Sequence, residues 1–156
     1  MRVPTLLRRD VTPETLDAIA ACVDRAESET SGEIVVHLVH WLLPLERVRD
    51  RAIRTFHQLG VHRTQRRNGV LLFVAMKKRR FEIVADAGVD ACVDAETWVD
   101  IAKQIEGRIG RDGFQQGLCA GIEAIGAVLS RHFPATPDDV DELPDRPTPP
   151  LESEDG

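Results

Sequence analysis

Apolar residues recur at Leu16, Ile19, Ala20, Val23 and Ala26, the spacing of one helical face, and Thr12-Pro13-Glu14 ahead of them supplies an N-cap, an N1 proline and an early acid. This predicts a helix over 13–29. After Ser31-Gly32 the period changes. Residues 34–39 form a β-branched run apolar on both faces, as a central strand requires. Trp41-Leu42-Leu43-Pro44 breaks it, and Leu45, Val48, Ala52, Phe56 and Leu59 predict a second helix closed by Gly60. Beyond a polar loop over 61–68, Gly69 introduces a second buried strand at 70–75, and residues 81–85 form a third. The second and third strands are too close for a crossover, so they pair as an antiparallel hairpin with Lys77-Lys78-Arg79-Arg80 as its exposed tip. A loop runs to Asp94. Trp98, Ile101, Ala102, Ile105 and Ile109 then mark a third helix, Gly110-Arg111-Asp112-Gly113 a turn, and Phe114, Leu118, Ile122, Ile125 and Leu129 a fourth helix.

The resulting order, α-β-α-β-β-α-α, predicts an α/β fold: a three-layer α/β/α sandwich around a small mixed sheet, its first two strands parallel through a right-handed crossover. The expected organisation is an N-terminal arm over 1–11, one domain over 12–133 and an acidic, proline-rich tail over 134–156 without ordered structure.

Charge sharpens this division. The formal net charge is −6, yet residues 138–156 hold eight acids and one base, so the folded body is close to neutral. Residues 1–10 lack the apolar stretch of a signal peptide and no run of 18 apolar residues occurs, so a cytoplasmic location and no transmembrane segment are expected. Cys22, Cys92 and Cys119 are odd in number and lack CxxC spacing. They are expected to be buried thiols in a reducing compartment rather than a disulfide or zinc framework.

Six separated segments then acquire a common meaning. Thr30-Ser31-Gly32-Glu33-Ile34-Val35-Val36, Phe56-His57-Gln58-Leu59-Gly60, Arg67-Asn68-Gly69-Val70-Leu71-Leu72, Asp86-Ala87-Gly88-Val89, Trp98 and Gly113-Phe114-Gln115-Gln116-Gly117-Leu118, in this order, resemble the TPM domain, named partly for a thylakoid-lumen acid phosphatase. The resemblance covers residues 12 to 131. Asp138-Asp139-Val140-Asp141-Glu142-Leu143-Pro144 further resembles a short soluble bacterial branch without the membrane helix of many relatives. The resemblance implies an α/β/α sandwich, metal binding in some members and phosphatase activity in a few. Two departures stand out: Arg67 where many relatives have an acid before Asn-Gly, and Asp86-Ala87-Gly88 where they have a Gly-x-Gly turn.

Topology places a candidate site. With parallel first strands and an antiparallel third, the start of the first (Glu33), the start of the second (Asn68-Gly69) and the end of the third (Asp86) share one rim, and Asp94 can reach it. Glu33, Asn68, Asp86 and Asp94 offer oxygen ligands suited to a hard divalent cation, calcium or magnesium. Each also has a structural reading: Asp94 as an N-cap, Asn68-Gly69 as a turn, Glu33 and Asp86 as polar strand ends. Arg63, Arg66 and Arg67 on the same rim could hold the phosphate of a phosphorylated small molecule or neutralise those carboxylates. The spacing of acids over 86–96 is not that of an EF-hand, and the body over 12–133 holds no cysteine or histidine phosphatase signature and no Asp-x-Asp. Low aromatic content argues against nucleic acid as a partner of the basic tip.

Three functions fit these residues: a domain binding a divalent cation at the rim, a metal-dependent acid phosphatase, or a non-catalytic protein-interaction domain whose acidic tail meets a basic partner.

Overall fold

The computed structural model describes residues 11–137 and Pro147. Residues 1–10 of the expected arm and, within the expected tail over 134–156, all residues beyond 137 except Pro147 lie outside the described residues.

Helix α1 (Pro13–Glu27) begins where Thr12 caps it, its hydroxyl accepting from the Thr15 amide at 3.2 Å. It ends two residues before the predicted boundary. Strands β1 (Glu33–Val39) and β2 (Gly69–Ala75) are buried throughout and pair in parallel, Glu33 opposite Gly69 and Val39 opposite Ala75. Strand β3 (Arg80–Ala85) runs antiparallel to β2, giving the order β1-β2-β3. Helix α2 (Val48–Gln58) crosses between β1 and β2, followed by one 3₁₀ turn at Val61–Arg63. A four-residue helix, α3 (Ala87–Asp90), occupies part of the predicted loop, and α4 (Ala95–Asp112) and α5 (Phe114–His132) complete the fold.

Alternation along the strands divides the core. Ile34, Val36 and Leu38 join Val70, Leu72 and Val74 against α1, α4 and α5, whereas Val35, Val39, Leu71 and Phe73 face Val48, Ala52 and Phe56 of α2. The three-layer sandwich around a mixed sheet is therefore the observed architecture.

Three local expectations are corrected. Leu45 is not on α2; the helix starts at Val48 and Leu45 is fully exposed in a preceding turn. The predicted turn at 110–113 is reduced to Gly113 alone, at φ 94, because α4 continues to Asp112. The cysteines are not three buried thiols: Cys22 of α1 and Cys119 of α5 form a disulfide, and Cys92 is free and exposed. Spacing could not reveal this pair, since 97 residues separate its members and only the α1–α5 packing brings them together. The inference from cysteine parity to a reducing compartment loses its basis.

Gly117 and Gly121, four apart on α5, both lie against α4, facing Ile109 and Ile105. A Cβ at Gly117 would stand 2.6 Å from the Ile109 backbone nitrogen on α4, so only glycine permits this approach. Gly107, in the middle of α4, would meet nothing within 4 Å. These two sites should respond to alanine in opposite directions. At Gly117 the clash, of order 1–3 kcal/mol, outweighs the gain of about 1 kcal/mol in helix propensity, so Gly117→Ala lowers the urea midpoint. At Gly107 only the gain remains, and Gly107→Ala raises it.

Candidate functional site

The expected rim exists, and its hydrogen bonds show how it is built. The Glu33 amide donates to the Asn68 carbonyl at 3.3 Å and the Asp86 amide to the Gly69 carbonyl at 2.9 Å, so β1 and β3 flank the start of β2. Glu33, Asn68 and Asp86 are all buried. The loop leading into β2 is fixed by Thr64, whose hydroxyl accepts from the Asn68 amide at 3.1 Å. It turns through Arg67 at φ 52, in the left-handed region that side chains seldom occupy. Gly88 donates to the Arg67 carbonyl at 2.9 Å, and a Cβ there would stand 2.6 Å from that oxygen. The motif glycine of α3 thus lets the helix close on the loop.

This geometry aims Arg67 at Asp86. Its Nε and Nη2 donate to the two carboxylate oxygens at 2.7 and 2.8 Å, a bidentate fork. The Ala87 amide also donates to Asp86 Oδ1 at 2.8 Å, so the same carboxylate caps α3. The hydrogen bond and the charge of Asp86 raise the Arg67 pKa above its ordinary value, keeping the guanidinium charged. On α3, burial raises the Asp90 carboxyl; Arg49 opposes this and the Asp86 charge adds to it.

The other predicted residues go elsewhere. Asn68 Nδ2 donates to the Ser31 carbonyl at 3.3 Å, away from Asp86. Asp94 is exposed at the N-cap position of α4, where its side chain makes no capping hydrogen bond, and it is separated along the chain from Asp86 by α3. Arg63 packs its side chain over Gly60, and Arg66 donates to the Ser31 hydroxyl at 3.2 Å. The three arginines therefore make separate contacts.

Glu33 and Asp86 sit on either side of β2, which puts their Cα atoms roughly 10 Å apart at ordinary strand spacing. Between them is Gly69, where the space a Cβ would occupy is taken by the Val61 carbonyl, 2.5 Å away. Among the described residues no group of three or more His, Cys, Asp or Glu side chains could hold a metal ion. The donors present do not compose a cation site as they stand, because the carboxylate nearest the centre is already committed to a guanidinium.

A second location was not anticipated from spacing. Strand β3 is an edge strand, and between it and α4 runs a cleft of about 870 Å³ lined by Phe81, Ile83, Val93, Trp98 and Val99, with charges that include Arg80 and Lys103 on its walls. The buried Trp98 indole N–H has no hydrogen-bond partner. Trp98 had been visible only as a helix-face residue and a motif position. The edge itself is guarded by Arg49, which donates to the Ile83 carbonyl at 2.6 Å. Among the described residues, no helix is long and apolar enough to cross a membrane.

Comparison with known proteins agrees with this architecture. A family model described as TPM domain matches residues 11–128. The NMR structure of BA42 protein from the psychrophilic bacterium Bizionia argentinensis is 36% identical, with a TM-score of 0.82 over 94% of this chain and 99% of that one. The N-terminal domain of a protein from P. gingivalis, also solved by NMR, shares the fold with a TM-score of 0.64 at 18% identity over 79% of this chain and 78% of that one. No curated protein matches. The motifs, the fold and these matches agree: the chain belongs to the TPM domain family.

Proposed function

We propose that this chain is a non-catalytic binding domain in which Arg67 serves as the built-in countercharge of the rim. The Arg67–Asp86 fork carries the reading. A phosphatase needs an activated nucleophile or a metal-bound water beside a phosphate clamp. Here the central acid and the central base of the rim neutralise each other, and Arg63 and Arg66 point to other partners. What the domain offers a ligand is surface rather than a reactive group.

The cation reading keeps one observation in its favour, the burial of Glu33 and Asp86 at the same rim. Both readings meet in one experiment. Calcium or magnesium is titrated while backbone amide shifts of Glu33, Asn68 and Asp86 are followed, and hydrolysis of a generic phosphomonoester is measured in parallel. The expected result is no saturable shift below low-millimolar metal and no turnover. In Arg67→Ala, Asp86 loses its fork; the half-exposed pair is screened by solvent, so the expected stability loss is small, and a millimolar cation response should appear at Asp86. A micromolar response in the unaltered chain, or hydrolysis abolished by Asp86→Ala, would overturn the proposal.

A further inference from the structure

At the end of the sheet opposite the Glu33–Asp86 rim, the last residues of β1 and β2 and the first of β3 come together, Val39 opposite Ala75 and Ala75 opposite Arg80. Two segments project there. The first holds Trp41, Leu43 and Leu45, exposed to 44%, 54% and 101%. Pro44 precedes Leu45, which stands at φ 66, and the Glu46 amide donates to the Leu43 carbonyl at 3.0 Å. That is the pattern of a type II turn, whose third position ordinarily takes glycine. A leucine there strains the backbone and buries nothing in the core, so neither conformation nor packing accounts for it.

The second segment is Lys77-Lys78-Arg79-Arg80, four consecutive cations. Two contacts fasten it to the first: the Lys77 ammonium lies 3.5 Å from the Trp41 ring centroid, and Lys78 Nζ donates to the Glu46 carbonyl at 3.4 Å. The acids nearby are already balanced. Glu46 pairs with Arg51 and Arg54, and Glu82 with Arg49 and Arg80. The end of the sheet therefore presents an apolar, aromatic tip beside Lys77 and Lys78, whose contacts are with a ring and a backbone carbonyl rather than with a carboxylate.

We propose that this end docks on an anionic lipid surface. Leu43 and Leu45 enter the boundary between headgroups and acyl chains, Trp41 lies at the interface, and Lys77 and Lys78 meet the lipid headgroups. The aliphatic tip decides against nucleic acid, which has no use for exposed leucines and would need a platform of several stacking aromatics, whereas this surface has Trp41 alone with Lys77 over its ring. A single apolar loop or a single basic cluster holds a membrane weakly; the pairing of the two is what makes the surface specific. This docking is independent of the rim, since it uses the other end of the sheet, and a cation response at Glu33 would leave it unchanged.

The test uses the full chain with vesicles of phosphatidylcholine alone or mixed with phosphatidylglycerol. Trp41 and Trp98 are the two tryptophans and Trp98 is buried, so a blue shift of emission on binding reports on Trp41. Expected are co-sedimentation with the anionic vesicles, binding at least about tenfold weaker to the neutral ones, release by high salt, and the blue shift. Leu45→Gly suits the turn better than the native residue, so it should fold at least as stably while binding several-fold more weakly. Lys77→Glu with Lys78→Glu should abolish the preference for anionic vesicles. No sedimentation at low salt, equal binding to both vesicles, no blue shift, undiminished binding by Leu45→Gly, or retention by a soluble polyanion such as heparin without vesicle binding would each overturn the proposal.

Discussion

Reducing the Cys22–Cys119 disulfide is expected to destabilise the fold by about 2–5 kcal/mol, the largest effect of any single change considered. The bridge closes a loop of 97 residues of sequence separation and joins α1 to α5, whose Cα atoms at these positions lie 5.7 Å apart. Everything between them, including all three strands and α4, is thereby constrained in the unfolded chain, and long loops gain most from such closure. Both cysteines are buried in the larger core, so substitution would also disturb packing; reduction leaves the side chains in place and isolates the cross-link. Urea unfolding with and without reductant measures the difference, which corresponds to a fall of about 10 °C in Tm. Thiol titration of the unfolded, unreduced chain supplies the control: one reactive thiol, Cys92, is expected, whereas three would show that no disulfide had formed.

That bridge marks the limit of what spacing can reveal. Elements appear in a sequence when their periodicity is local, and this is why α1, α4, α5 and the strands lie within a few residues of their predicted bounds. The exceptions share a cause. Leu45 fits the apolar period of α2 yet lies outside the helix, because Pro44 permits a turn instead and Leu45 takes its left-handed position. Gly110 resembles a helix stop, but α4 passes through it to Gly113, whose φ of 94 ends it. The Cys22–Cys119 pair depends on helix packing and leaves no local trace.

The site was legible in place but not in pairing. Antiparallel and parallel strand directions put Glu33, Asn68 and Asp86 on one rim, and that expectation follows from connection lengths alone. Which partners they choose depends on the backbone of one loop. Arg67 at φ 52 turns its guanidinium onto Asp86, and Asn68 turns to Ser31, neither of which a linear pattern can encode. The departure of Arg67 from the commoner family pattern was the one sequence signal, and the fork onto Asp86 gives it a physical meaning.

Acidification from about pH 6.5 to about 4 is expected to destabilise the fold by on the order of 3 kcal/mol through His37 alone. His37 lies on β1 facing α2, 4% exposed, with its ring stacked on Phe73 at a centroid distance of 6.0 Å. Burial lowers its pKa from 6.5 to about 4, and the charge of the buried Arg51 lowers it further. Below pH 6.5 the unfolded chain therefore takes up a proton that the folded chain refuses until near pH 4. Protons favour unfolding throughout that window, and this group contributes no further loss beneath it. Glu46 acts lower on the scale: burial raises its carboxyl, but the Leu43 amide and then Arg51 and Arg54 outweigh that and hold it below its ordinary value. Its contribution is present above the ordinary carboxylate range and is lost only as pH falls through the lowered value, so the two groups are separable. His37→Phe keeps an aromatic ring against Phe73 and should flatten the pH dependence between 6.5 and 4 while leaving the acid limb intact. A ring-proton titration of His37 by NMR tests the same point directly: a midpoint near 6.5 in the folded protein would remove the basis for the predicted pH dependence.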